Sequence, residues 1–230
     1  MVILWIFLLL GLLVFLYTLY RLGKDDYLLA RRNVSLENLF NMTFFLFFVS
    51  TFFARLFYVV FHWQKRFINP LVFLAVPYYP GLMVLGGIIG AMLFLWFLTS
   101  VRKLPGFRLF DIYAFAFITA LPLGYMGIYL NDMRHTPILY LLWPLVFLVF
   151  AIALNKTIVP KMQLTDFHDG TLGCIAIAGF ACFSLLLEIL LQVIARSHAI
   201  HWDMLVLFLL LVAAAGGGFL IDRGKLRPKK

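Results

Sequence analysis

The sequence predicts an all-α polytopic membrane protein with seven transmembrane helices, an outside N-terminus and a cytoplasmic C-terminus. A short apolar arm at the interface is expected between spans two and three. Three observations carry this. The chain of 230 residues is 64% hydrophobic and only 13% charged, against about 25% charged in soluble domains. Apolar runs of about 20 residues, long enough to cross a hydrocarbon core of about 30 Å, recur from one end to the other. The cations also fall unequally between those runs.

The expected spans are 2–20, 39–61, 80–99, 109–130, 138–154, 171–194 and 203–221, in one integral membrane domain covering 1–230. The first resembles a signal peptide in position. However, no basic residue precedes it, its apolar run is too long, and no small-x-small site follows "LYTLYRLGK", so it is expected to stay as a helix. Loops after spans one, three and five carry Arg21, Lys24, Arg31, Arg32, Arg102, Lys103, Arg108, Lys156 and Lys161. The tail adds Arg223, Lys225, Arg227, Lys229 and Lys230, making fourteen. The opposite side has only Lys65, Arg66, Arg134 and Arg196. This bias sets the orientation and accounts for the net charge of +9. Without a folded basic domain, nucleic acid is not an expected partner.

Between spans two and three the chain reads "HWQKRFINPLVFLAVPYYPGL". Residues 71–76 are apolar but too few to cross, and Pro77 and Pro80 interrupt a helix. Either an arm lies in the interface, with Trp63, Tyr78 and Tyr79 at headgroup depth, or this is a bent extension of span three. In span three, "GLMVLGGIIG" places Gly86 and Gly90 on one small-xxx-small face, which allows close approach of a helix or a headgroup.

Ionisable residues inside spans are few. Arg55 lies about six residues, roughly 9 Å of helix rise, from the outer end of span two, and Glu188 lies at similar depth in span six. Isolated charges there are costly, so each should face inward and find a partner. They form either a structural salt bridge or a polar pocket for a lipid headgroup. At the end of span four, "LPLGYMGIYLNDMRHTPILYLLW" brings Asn131, Asp132, Arg134 and His135 to the same outer face, followed by Tyr140. That cluster is either a solvated turn or part of the pocket. Cys174 and Cys182, both within span six, read as small apolar residues. The chain shows no metal-ligand cluster and no phosphate loop, and no cofactor is expected.

In order and spacing, these segments resemble the prolipoprotein diacylglyceryl transferase family. "FFARLFYVVF" is similar to the family's GARLGYVLFY, and "NPL" to part of its arm. "GLMVLGGIIG" resembles G-x-S-F-H-G-G-L-I-G, and "KLPGFRLFDIYAFAFITALPLG" its next loop and helix, including Asp111. "GYMGIYLND" is similar to G-R-x-G-N-F-x-N-G, "HTPILY" to H-P-T-Q-L-Y, and "GFACFSLLLEILL" to G-x-F-R-F-x-x-E-F-x-R. The departures fall on polar positions: Leu85 stands for histidine, Tyr125 for arginine, Ile128 for asparagine, Leu141 for glutamate and Ser184 for arginine.

The resemblance implies a bacterial cytoplasmic (inner) membrane protein that moves diacylglycerol from phosphatidylglycerol to the cysteine thiol of a preprolipoprotein. Phosphatidylglycerol and the preprolipoprotein signal segment are then the expected partners. A phosphate leaving group needs cations and the thiol needs a base. By the resemblance, His135, Tyr140 and Arg134 form the catalytic set. Arg55, Tyr58, Gly86, Gly87, Asn131 and Glu188 hold the headgroup, less strongly where Glu188 neutralises Arg55. The alternative is an inactive relative that binds lipid or another protein. A small transporter is a weaker alternative, because no broken-helix repeat is present.

Overall fold

A bilayer offers the backbone no hydrogen-bond partners, so a spanning segment satisfies its own N–H and C=O groups as a helix, whatever its content of aromatic and β-branched residues. The computed structural model describes residues 2–24, 26–63, 67, 72–73, 81–131, 138–160, 168–195, 206, 208–210, 212–213 and 216. Its principal helices are α1 (Val2–Lys24), α2 (Tyr27–Arg31), α3 (Leu36–Phe61), α4 (Val84–Arg102), α5 (Gly106–Asn131), α6 (Leu142–Thr157) and α7 (Thr171–Ala195). Among the described residues there is no strand, and six helices are long and apolar enough to cross a membrane. Most of the expected span 203–221 lies outside the described residues, as does most of the arm.

Local chemistry explains where the helix ends depart from expectation. Helix α3 starts at Leu36 rather than 39 because Ser35 caps it, its Oγ accepting from Asn38 N at 3.1 Å. Helix α4 ends with Lys103 in the left-handed region (φ 53). Leu104 N there donates to Thr99 O at 3.0 Å, the closing bond of a Schellman turn. The run expected to start span five at 138 opens as a 3-10 turn, Ile138–Leu141. Pro144 then falls in the first turn of α6, where its missing N–H loses no helical bond.

The chain divides into two compact units, Ala30–Gly106 and Met1–Leu29 with Phe107–Lys230. In the first, α4 lies on α3 through its glycines. A Cβ on Gly86 would stand 2.7 Å from Phe53 O and 2.6 Å from Phe57 Cβ, and one on Gly90 would run into the Phe53 side chain. Ser50 Oγ fastens the seam by donating to Gly87 O at 3.0 Å. Of the two readings of this glycine face, helix approach is the one these contacts describe. Phe44, Phe45 and Phe48 on α3 and Trp96 and Phe97 on α4 are exposed, as suits surfaces that meet lipid.

The second unit buries Leu19, Leu109, Ile112, Ile118, Phe147 and Phe180. Gly127 of α5 approaches Phe7 of α1 so closely that a Cβ would come within 2.6 Å of the Phe7 Cβ. Pro122 lies inside α5, where it leaves the Ile118 carbonyl without its helical donor.

Candidate functional site

In the unit Ala30–Gly106, Arg55 is almost wholly buried, at 2% exposure. Its guanidinium meets backbone carbonyls: Nε donates to Phe73 O at 2.9 Å, Nη1 to Gly81 O at 2.7 Å and Nη2 to Val72 O at 3.3 Å. The Tyr58 and Phe67 rings lie 5.6 and 5.3 Å from its Cζ, a cation–π setting. Carbonyl dipoles and ring faces together offset the loss of water around a buried charge. Gly81 has φ 151, and a Cβ there would enter the Tyr58 ring, so only glycine suits this position. Tyr58 also stacks on His62, with centroids 4.7 Å apart. Of the expected headgroup residues, Arg55, Tyr58, Gly86 and Gly87 therefore share one unit. Arg55 ties residues 72–73 and 81 to α3. Leu85, where the family pattern has histidine, is buried.

The second unit holds the other expected residues. Glu188 is half-buried on α7, Asn131 is the exposed last residue of α5, and Tyr140 is exposed in the 3-10 turn. Arg134 and His135 lie outside the described residues. The two positions where the family pattern has arginine, Tyr125 and Ser184, are neighbours here. Tyr125 stacks on Phe147 (centroids 5.6 Å, interplanar angle 11°) and leans on Trp143 at 5.0 Å. Phe180 closes the group, 5.7 Å from Phe147. Ser184 is beside the Tyr125 hydroxyl, with Glu188 in electrostatic reach. Trp143 Nε1 is buried and finds no hydrogen-bond partner among the described residues, while Ser184 Oγ is buried against the Tyr125 hydroxyl.

A second polar cluster sits near the other end of α5, about 20 Å of helix rise away. Arg108 Nε donates to Asp26 Oδ2 at 2.6 Å, and its Nη1 reaches Asp169 Oδ1 at 3.5 Å. Asp26 also caps α2, accepting from Leu28 N and Leu29 N at 3.0 Å each. One helical turn further, Asp111 accepts from Gly170 N at 2.7 Å and Gly173 N at 2.6 Å. A carboxylate from α5 thereby caps α7, where the helix dipole favours negative charge. Asp26 and Asp169 were not anticipated, and Arg108 was expected in a loop, although it is buried in the first turn of α5. Two signals were present: an aspartate shortly before each of α2 and α7, and the i, i+3 spacing of Arg108 and Asp111.

Membrane-length helices with apolar outer faces and a few buried polar stations define a multi-pass integral membrane protein. The profile of the family described as "Prolipoprotein diacylglyceryl transferase" matches residues 4–221, and the chain belongs to that family. The chain is 37% identical over 82 residues to the phosphatidylglycerol–prolipoprotein diacylglyceryl transferase of Clostridium novyi (strain NT), covering 36% of this chain and 32% of that protein. It is 36% identical over 84 residues to the protein of that name from Enterococcus faecalis (strain ATCC 700802 / V583), covering 36% of this chain and 30% of the relative. The matched stretch thus spans about a third of each relative's length. No solved structure matches the chain.

Proposed function

We propose that this protein transfers diacylglycerol from phosphatidylglycerol to the cysteine thiol of a lipoprotein in the bacterial cytoplasmic membrane. The observation that carries the reading is the family match over residues 4–221, almost the whole chain. In the proposed reaction the thiol sulfur attacks the terminal glyceryl carbon and the carbon–oxygen bond to phosphate breaks. Glycerol 1-phosphate leaves with the electron pair. His135 takes the thiol proton, Arg134 meets the phosphate, and Tyr140 and Asn131 orient the headgroup. Arg55, Tyr58, Gly86 and Gly87 in one unit, and Glu188 in the other, are the remaining proposed headgroup residues. The proposed topology has seven spans, with residues 203–221 as the last. The N-terminus is outside and the tail is cytoplasmic, supported by fourteen cations against four.

The second reading is a catalytically inactive relative that binds lipid. Leu85, Tyr125 and Ser184 favour it, because positions that are polar or cationic in the family pattern are here buried in apolar or aromatic packing. One assay separates the two. Purified protein, phosphatidylglycerol vesicles and a lipobox peptide are combined, and the peptide's mass is followed beside a His135→Ala control. A diacylglyceryl-sized gain that the control loses supports transfer. No gain, with phosphatidylglycerol still bound, supports the inactive relative.

A further inference from the structure

We infer that the adjoining ends of α1 and α6 form a binding site for an anionic phospholipid that is retained rather than consumed, with its phosphate held by Arg21 and Lys156. The two helices belong to one compact unit, and a side-chain bond joins them: Arg21 Nη1 donates to Asn155 Oδ1 at 3.4 Å. That bond brings the last turns of the helices together, with Arg21 and Lys24 on α1 and Lys156 on α6. Lys24 Nζ lies 5.8 Å from the centre of the Tyr20 ring.

These cations are available to an anion. Arg21, Lys24 and Lys156 are all exposed. Among the described residues no carboxylate meets them, and the two ion pairs identified both belong to Arg108. Asn155 gives Arg21 a neutral acceptor at a long distance. The carbonyl ends of the helices favour nearby cations, but that leaves most of their N–H donors in reach of a ligand. A guanidinium fork takes two oxygens of a phosphate, and an ammonium takes a third.

The surface leading to the cations selects a lipid as the source of that phosphate. Tyr17 lies one helical turn before Arg21 and Leu13 one turn before Tyr17, and both are exposed. On α6, Ile152 and Val149 precede Lys156 by four and seven residues, and both are exposed. Each cation therefore ends an apolar stripe on a helix of membrane length. Acyl chains can lie along such stripes while the phosphate stays level with the cations, whereas free phosphate gains nothing from them.

The site is also remote from the proposed chemistry. Tyr140 precedes α6, and Lys156 lies near its other end, about 20 Å of helix rise away. In the proposed topology that end faces the cytoplasmic leaflet, which is rich in anionic lipid. The inference needs only the membrane-length helices, and the transfer reaction does not enter it.

The test is equilibrium binding to the purified, delipidated full chain in detergent, read by native mass spectrometry. Probes are dioleoylphosphatidic acid, dioleoylphosphatidylcholine and inorganic phosphate. No thiol acceptor is present, so a failed transfer assay leaves the result unaffected. Phosphatidic acid should bind more tightly than phosphatidylcholine, and less tightly as salt rises. Inorganic phosphate should not displace it. Arg21→Gln with Lys156→Gln should weaken phosphatidic acid by about thirtyfold, as for two cations near anionic lipid. Lys156→Gln alone, which breaks no bond identified among the described residues, should weaken it by about fivefold. Arg102→Gln with Lys103→Gln, two exposed cations at the end of α4, should leave it unchanged. Equal binding of the two lipids, displacement by inorganic phosphate, or equal losses in the two double variants would each overturn the inference. The last result would mean a diffuse basic surface in place of a site.

Discussion

Arg55 shows what one buried cation does in a membrane protein. Its charge is met by three backbone carbonyls and two ring faces, all within residues 55–81. Hydrogen bonds from a charged group contribute about 1.5–3 kcal/mol each, and they do not add. Arg55→Ala should therefore destabilise the protein by about 2–4 kcal/mol, because three carbonyls lose their charged donor. Arg55→Lys should recover only part of that loss, because an ammonium cannot reproduce the planar fork. Denaturation in detergent micelles checks this, and a lysine variant as stable as the parent would refute it. The depth of Arg55 and its need for a partner were legible in the sequence. Its partners were not, because backbone carbonyls leave no signature in residue identity. Asp111 is similar. Asp111→Ala leaves two N–H groups at the start of α7 without their acceptor and should cost about 2 kcal/mol, whereas Asp111→Asn should cost less by keeping one acceptor oxygen. The same unfolding measurement reads both.

At the scale of elements, the α3–α4 seam depends on how close two backbones can come. Gly86 and Gly90 permit an approach that a methyl group would obstruct, and Gly87 has more room, 3.1 Å from the Ser50 hydroxyl. Overpacking typically costs about 1–3 kcal/mol. Gly86→Ala should fall near the top of that range, because it meets the Phe53 carbonyl as well as the Phe57 side chain. Gly87→Ala should fall well below it, since the nearest atom is the end of a rotatable serine. Melting temperatures in detergent would give the order, and a larger loss for Gly87→Ala would contradict the seam. The small-xxx-small spacing announced this face, and hydrophobic run length announced six of the helices. Helix ends were less legible. Ser35 and the turn at Lys103 act through local backbone geometry, and the capping of α7 by Asp111 joins residues 59 or more positions apart. Hydropathy does not register a bond of that separation. The Tyr125–Ser184 neighbourhood was hidden for the same reason, although each position stood out as a departure from the family pattern.

At the scale of the whole molecule, the testable quantity is which side of the membrane each connection occupies. Seven spans place the termini on opposite sides, and six would place them together. The cation asymmetry favours seven, because the five basic residues of the tail then join the nine in the loops after spans one, three and five. Each of these cations resists transfer across the bilayer, so their sum orients the chain although no single one decides it. Fusions of an alkaline phosphatase reporter, active only outside the cytoplasm, should be active after residues 64 and 135. They should be inactive after residues 103, 161 and 230. Activity after 230 together with activity after 135 would remove the span at 203–221 and place the tail outside. Reversing the charge bias gives a second reading of the same physics. Neutralising Arg223, Lys225, Arg227, Lys229 and Lys230 together should leave the first four spans in place, because their flanking cations are untouched. The reporter after residue 230 should then report a mixture of orientations for the final span alone. A uniform inversion of every fusion would mean that the tail, rather than the loops, sets the topology.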